Sequence, residues 1–143
     1  MKKLLTTLTA AVMLGTLLTA PVSAEETAYK MGDVNMDGFI GADDAQLVLR
    51  DFTWDLVYLP EYKILTEEQV ALGNVNLRTE IWDYIQPDGS VAQIEIKLTS
   101  GDAQLILICY LGTAVVNPDA EQPDVVTWVR ENYPSVYENL SEN

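Results

Sequence analysis

The chain of 143 residues has no histidine and a single cysteine, Cys109. Without histidine it cannot form a Ser-His-Asp triad, a Cys-His pair or a zinc site with imidazole ligands, and one cysteine cannot form an internal disulfide. Basic residues are also scarce, because 8 Lys and Arg stand against 22 Asp and Glu, for a formal net charge of −14. This charge disfavours nucleic acid and membrane surfaces as partners and favours hard cations such as Ca²⁺.

The amino terminus has the pattern of a secretory signal peptide. Lys2 and Lys3 precede an apolar run over residues 4–18, and small residues flank a cleavage-like site at Ala24. The run is short for a bilayer span and no basic stop-transfer cluster follows it. We therefore predict a signal peptide over residues 1–24, a short linker over 25–30 and a secreted protein, extracellular or in a cell-surface complex. Because no internal disulfide can form, we expect a bound metal ion to stabilise so small a fold.

Two pairs of sequence blocks recur in the same order along the chain. The block GDVN at 32–35 matches GNVN at 73–76, and DAQLVL at 44–49 matches DAQLIL at 102–107. Matching order favours a duplicated unit over chance similarity. In each copy a polar, turn-rich stretch precedes an apolar segment, which predicts helices over residues 44–54 and 102–111.

In the first copy, residues 33–44 match a twelve-residue calcium loop. Ca²⁺ takes six to eight oxygens at about 2.3–2.6 Å from alternate loop positions, from the carbonyl of position 7 and from an acid at position 12, with glycine at position 6 for the turn. The predicted ligands are Asp33, Asn35, Asp37, the carbonyl of Phe39, and Asp44. Gly38 takes position 6, and Ile40 at position 8 is expected to pair with the second loop in a short β-bridge.

The second copy carries an insertion. Twenty-five residues separate Asn76 from Asp102, where eight separate Asn35 from Asp44. The inserted stretch, about 77–94, contains two β-rich runs around Pro-Asp-Gly at 87–89, which predicts a β-hairpin. If the hairpin brings its ends together, the loop ligands are Asn74, Asn76, Glu95 and Asp102, and Leu98 mirrors Ile40.

An alternative reading takes Asp88 and Gly89 as displaced remnants of positions 5 and 6. Either way, position 1 has lost its charge, because Asn74 stands where the first loop has Asp33. In the first reading Ile96 also replaces the glycine of position 6. One calcium site is therefore expected in the first loop, and the second loop is an open case.

Taken together, these residues resemble a type I-related dockerin, the duplicated calcium-binding module of cellulosomal proteins. The resemblance covers residues 31–112 and rests on the stretches 32–45 and 101–107, while Thr66 and Gln69 form a capping box for the short helix before the second loop. It implies a mainly α fold, a pair of EF-hand-like calcium loop–helix repeats with an inserted β-hairpin and a C-terminal helix. The predicted dockerin-like domain spans 31–116, with a first repeat over 31–56, a linker over 57–71 and a second repeat over 72–112. An acidic tail follows over 117–143.

The resemblance also implies a function. Dockerins fold with calcium and bind a cohesin on a scaffoldin, which docks secreted polysaccharide-degrading proteins into a cellulosome. No catalytic activity is expected of such a module, and it is expected to be a monomer when free. In the family the partner is read by loop positions 10 and 11 and by the exposed face of the following helix. Carried onto this sequence, those positions are Ala42, Asp43, Leu49 and Arg50 in the first copy, and Ser100, Gly101, Leu107 and Ile108 in the second.

Two other functions stay open at this point. One is a secreted calcium-binding adaptor or regulator with a non-cohesin partner. The other is a small glycosidase that uses two carboxylates, although 22 acids make some suitably spaced pair inevitable.

Three further features remain, one after the duplicated unit and two within its second repeat. Val125, Trp128 and Val129 stand at helical spacing and predict a short helix that ends before Pro134, either a clasp on the module or a second docking surface. Cys109 is predicted to be a buried thiol. The aromatic residues of the insertion either pair across the hairpin or form a binding platform.

Overall fold

The computed structural model describes residues 28–58 and 63–141. The predicted signal peptide and the first half of the linker after it, residues 25–27, lie outside the described residues. Within them the elements are α1 (Ala42–Tyr58), α2 (Glu67–Gly73), β1 (Glu80–Ile85), β2 (Val91–Ile96), α3 (Ser100–Tyr110), α4 (Val125–Asn132) and α5 (Pro134–Ser141), and α3 continues into a π-helical turn at Leu111–Val115. The described part of the chain is thus mixed, mostly helical with one antiparallel hairpin.

Local signals in the sequence set several of these boundaries. Thr66 caps α2, because its side chain accepts from the Gln69 N–H while Gln69 Oε1 accepts from the Thr66 N–H, which confirms the predicted capping box. At α4, the carboxylate of Asp124 accepts from the Thr127 N–H, at 2.9 Å. α1 carries Asp43 and Asp44 in its first turn, where negative charge is favourable to the helix dipole.

One hydrophobic core joins both copies of the repeat to the C-terminal segment. Its most buried members come from the first copy (Val34, Ile40, Val48), from the second copy (Val75, Leu98, Ile106, Cys109) and from α4 (Val125, Val129). Val125 is fully buried, its N–H donates to the Met31 carbonyl at 2.9 Å, and its side chain fills the space where a Cβ on Gly32 would lie. α4 therefore packs as a clasp on the module.

The inserted hairpin matches the prediction from its turn. Glu80 lies opposite Ile96 and Ile85 opposite Val91, and Gly89 takes a positive φ of 84° in the connecting turn. Trp82 contacts Phe52 of α1 edge to face, with ring centroids 6.0 Å apart. The hairpin therefore rests on α1 through one of its faces, and Trp82 is a packing residue there.

Cys109 is fully buried in α3, as predicted. Burial raises the pKa of its thiol to about 11. A thiol that stays protonated at neutral pH is a poor nucleophile, so Cys109 acts as a small core side chain.

A buried carboxylate links α1 to the start of α2. Asp51 is only 6% exposed, and its Oδ1 accepts from the Leu65 N–H at 3.2 Å. Burial raises the pKa of Asp51, while bonds from the Leu65 and Ile64 N–H groups and the charges of Lys63 and Arg50 oppose the rise. The net effect is a raised pKa, so the ionised form of Asp51 is less favourable in the folded state than in the unfolded state.

We expect the substitution Asp51→Asn to stabilise the protein at pH 7, because burial disfavours the charged form of Asp51. Asn keeps an acceptor for Leu65 and removes the buried charge. Because the folded pKa is raised, the wild type loses stability as the pH rises through that value, and the advantage of Asn should disappear below the ordinary Asp value of 3.8. Urea unfolding of both proteins between pH 3 and 7 tests this.

The exposed acid Asp119 offers the matched control, because Asp119→Asn removes the same charge from the surface. It should change stability by only a few tenths of a kcal/mol. A destabilised Asp51→Asn variant whose deficit grows with pH would contradict the interpretation.

Candidate metal centre

The first loop folds around the side chain of Asp33. Its two carboxylate oxygens accept from the N–H of Asp37 at 3.1 Å and from the N–H of Gly38 at 2.9 Å. Asn35 Oδ1 accepts from the same Asp37 N–H at 2.9 Å. Met36 and Gly38 take positive φ angles of 61° and 88°, which close the turn. Side-chain oxygens from loop positions 1 and 3 therefore accept from the same backbone N–H, that of Asp37.

Asp44 ties the end of the loop back to its beginning. Its Oδ1 accepts from the N–H groups of Val34 and Asn35, at 2.7 and 2.9 Å, and its Oδ2 accepts from the Gly41 N–H at 2.7 Å. Asp33 and Asp44 are 1% and 0% exposed, and burial raises the pKa of both carboxyls. A divalent cation bound between these two buried carboxylates would offset the cost of removing their charges from water.

The rim of the loop carries two further acids. Asn35 Nδ2 donates to Asp37 Oδ2 at 2.9 Å and to Asp43 Oδ2 at 2.7 Å, and both acids are exposed. Across residues 28–58 and 63–141, no three acidic, cysteine or histidine side chains form a ready metal cluster. The donors of this loop instead mix carboxylate, amide and backbone carbonyl oxygens, which is the set that Ca²⁺ accepts. By chemistry and order, the predicted ligands of the first loop fit calcium.

The centre of the loop is held by Gln122, which the sequence analysis missed. The Ile40 N–H donates to Gln122 Oε1 at 2.9 Å, and Gln122 Nε2 donates to the Ile40 carbonyl at 2.8 Å. The predicted β-bridge between Ile40 and Leu98 is therefore wrong, because a side-chain amide takes both backbone groups of Ile40. Lys30 fixes the segment further, since its Nζ contacts the Gln122 carbonyl and, at 3.1 Å, Glu121 Oε1.

The second loop repeats the turn of the first with a different residue at position 5. The Arg78 N–H donates to Asn74 Oδ1 at 3.2 Å and to Asn76 Oδ1 at 2.8 Å, the same pattern that Asp37 makes in the first loop. Leu77 has a φ of 57°, close to the 61° of Met36. Position 5 of the second loop is therefore Arg78.

This register corrects the ligand that the sequence analysis placed at position 5. Glu95 lies on β2 opposite Ile81, with its side chain exposed, and Arg78 takes the place assigned to it. The alternative with Asp88 is also wrong, because Asp88 lies in the hairpin turn and accepts from Ser90. The physical reason is that the backbone turn is complete at Arg78, so the hairpin follows position 5. The other predicted ligands of this loop, Asn74, Asn76 and Asp102, do come together.

Four of the eight predicted partner residues line a groove between α1 and α3. The groove is lined by Ala42, Ala45, Gln46 and Leu49 from α1, and by Ser100, Ala103, Gln104 and Leu107 from α3. Each α1 residue of this set has its repeat equivalent in the α3 set. Sequence reasoning named four of these residues and missed the alanine and glutamine pairs, although the shared block DAQL contains them.

The remaining predicted partner residues are accessible but lie outside the groove lining. Asp43 and Arg50 are exposed and border a neighbouring cleft with Asn35. Gly101 is half-buried and Ile108 is 41% exposed. The two repeats therefore share the lining of the groove but differ beside it.

Comparison with protein-family models, curated proteins and solved structures found no match. Over residues 28–58 and 63–141, no helix has the length and apolar character needed to cross a membrane.

We expect the substitution Gln122→Ala to destabilise the fold by about 1–3 kcal/mol, because it leaves the buried N–H and carbonyl of Ile40 without partners. Thermal and urea unfolding measure the loss. Gln46→Ala is the matched control, since it truncates the same side chain at an exposed position on α1. Equal effects from the two substitutions would contradict the role assigned to Gln122.

Proposed function

We propose that this protein is a calcium-dependent docking module of the dockerin type, which binds a cohesin on a scaffoldin and so joins a cellulosome-type polysaccharide-degrading complex. The observation that carries the proposal is the groove between α1 and α3, whose lining uses equivalent residues of the two repeats. A duplicated loop–helix unit with such a shared face is what the dockerin resemblance implies. In this proposal the module is not an enzyme, is secreted, and is a monomer when free.

Calcium takes the first loop in this proposal, bound by Asp33, Asn35, Asp37, the Phe39 carbonyl and Asp44. The support is the burial of Asp33 and Asp44, which withdraws water from both charges and raises the pKa of both carboxyls. A bound cation offsets that cost and fixes the relative position of loop and helix. Since Ala42 and Ala45 flank Asp44 on α1, calcium also orders one wall of the groove.

The composition of the groove suits a protein partner. Leu49 and Leu107 are 46% and 39% exposed, and Gln46 and Gln104 accompany them. Apolar side chains at the centre of a patch, with polar groups around them, are characteristic of protein interfaces. Asp43 and Arg50 add charges beside the first repeat, where the second repeat has Gly101 and Ile108. The two repeats would therefore contact a partner differently.

The hairpin favours a second candidate, a secreted calcium-binding adaptor whose partner is not a cohesin. Its outer face leaves Ile81, Ile85 and Val91 between 60% and 71% exposed, and this face is no part of the groove. Binding to an immobilised panel of cohesins, with and without a chelator, separates the two candidates. A failure to bind across a broad panel in saturating calcium would favour the adaptor.

For the metal, we expect Asp37→Ala to weaken calcium binding at least tenfold, because it removes a charged ligand from position 5. Asp43→Ala removes an equal charge from the same exposed rim of the loop and should weaken binding no more than about threefold. Calorimetric titration of the two variants with CaCl₂ makes the comparison. Similar losses of calcium affinity in the two variants would show that the affinity depends on the total charge of the loop and not on the proposed ligands.

For the partner, we expect the double substitution L49D/L107D to reduce cohesin binding at least a hundredfold, because it places two charges in the apolar groove. Both side chains are half-exposed, so the fold should be kept, which circular dichroism would verify. Ile85→Asp, at a 71% exposed position on the hairpin, is the matched control and should leave cohesin binding unchanged. A cohesin that binds the double variant as well as the wild type would contradict the assigned face.

A further inference from the structure

The two loops differ sharply in charge. The first loop carries four carboxylates, Asp33, Asp37, Asp43 and Asp44, within twelve residues. The equivalent positions of the second loop hold Asn74, Arg78, Gly101 and Asp102. These four positions therefore carry one negative and one positive charge, where the first loop has four negative charges. The Nε atom of Arg78 is buried and has no hydrogen-bond partner in the described parts of the chain.

Asp102 is nevertheless fully buried, and donors from the protein surround it. Its Oδ1 accepts from the Asn76 N–H at 2.9 Å. Its Oδ2 accepts three hydrogen bonds, from the Thr99 N–H and the Thr99 hydroxyl, each at 2.8 Å, and from Asn76 Nδ2 at 3.0 Å. Asn76 Nδ2 also donates to Thr99 Oγ1 at 3.1 Å, so the three side chains form a closed network. A cation at Asp102 would have to break this network.

The equivalent carboxylate of the first loop lacks those side-chain donors. Gly41 stands where Thr99 stands in the second loop, so only a backbone N–H reaches Asp44 Oδ2. The amide of Asn35, the equivalent of Asn76, donates to Asp37 and Asp43 and not to Asp44. Two backbone bonds are matched, because Asn35 and Gly41 donate to Asp44 as Asn76 and Thr99 donate to Asp102. Asp44 accepts one further backbone bond, from the Val34 N–H at 2.7 Å, whereas the equivalent Val75 N–H donates to the Gly73 carbonyl.

We propose that the second loop is a cation-free counterpart of the first, in which the side chains of Asn76 and Thr99 satisfy Asp102 in place of a metal ion. The residues of this loop do not fit calcium: Arg78 stands at a ligand position, Asn74 is neutral and Asp102 Oδ2 is saturated. The protein takes one Ca²⁺ per chain, and its second half keeps its structure when calcium is removed. The assignment of that one ion to the first loop rests on the proposed function, whereas the statement about the second loop does not.

Calorimetric titration of the chelator-treated protein with CaCl₂ tests the stoichiometry. We expect one ion per chain in the wild type and no binding in D33N/D37N, which removes two charges from the first loop and keeps side chains of the same shape. A second equivalent in the wild type, or a full equivalent of unchanged affinity in D33N/D37N, would overturn the proposal.

Amide hydrogen exchange followed by NMR tests the second half of the proposal independently. In excess chelator, the N–H groups of Asn76, Arg78 and Thr99 should keep their protection, while those of Asp37, Gly38 and Gly41 should exchange at least tenfold faster than with calcium. Loss of protection at the second loop on calcium removal would overturn the proposal. A wild type that binds no calcium while the second loop stays protected would contradict the proposed function, and with it the single Ca²⁺ per chain, but it would support the statement about the second loop.

Discussion

The structure depends on a carboxylate that is buried in the first turn of each repeated helix. Asp44 in α1 and Asp102 in α3 each accept N–H groups from the beginning and from the middle of their own loop. Each carboxylate thereby ties two loop segments to one helix start, and the apolar side chains next to it, such as Val34 and Val75, enter the common core. Without these bonds, the loop backbone would have buried N–H groups and no acceptors, a cost that a domain of this size could not bear.

The two repeats solve the same electrostatic problem by different means. A buried carboxylate needs donors or a countercharge to offset the loss of water. The second repeat supplies donors from Asn76 and Thr99, which are themselves buried and fixed. The first repeat has glycine at the position of Thr99, and it adds further acids around the same loop. The first loop is therefore the part of the molecule whose stability should respond to a cation. Because Ile40 of this loop bonds with Gln122, the response should extend to the C-terminal segment that α4 clasps onto the module.

Local patterns in the sequence predicted much of this fold. Helical spacing, the capping box at Thr66 and the Pro-Asp-Gly turn act over a few residues, so they are readable without the rest of the chain. Gln122 was not predictable in this way, because its partner Ile40 lies 82 residues away and a lone glutamine has no distinctive pattern. Arg78 was not predicted for another reason. A calcium-loop template expects an acid at position 5 and so does not match an arginine. The positive φ angles that Leu77 and Met36 share, which reveal the equivalence, are visible only in the structure.

The asymmetry of the loops bears on how calcium and a partner would act on each other. The groove has one wall on α1 and one on α3, and only α1 follows the loop for which calcium is proposed. The α3 wall is held by Asp102 and its protein donors, so calcium can change partner affinity only through the α1 wall. Coupling between two ligands is reciprocal. A partner bound in the groove must therefore increase the affinity for calcium by the same factor by which calcium increases the affinity for the partner. A substitution on α1 beside Asp44 should therefore alter this coupling, whereas its repeat equivalent on α3 should alter partner affinity alone.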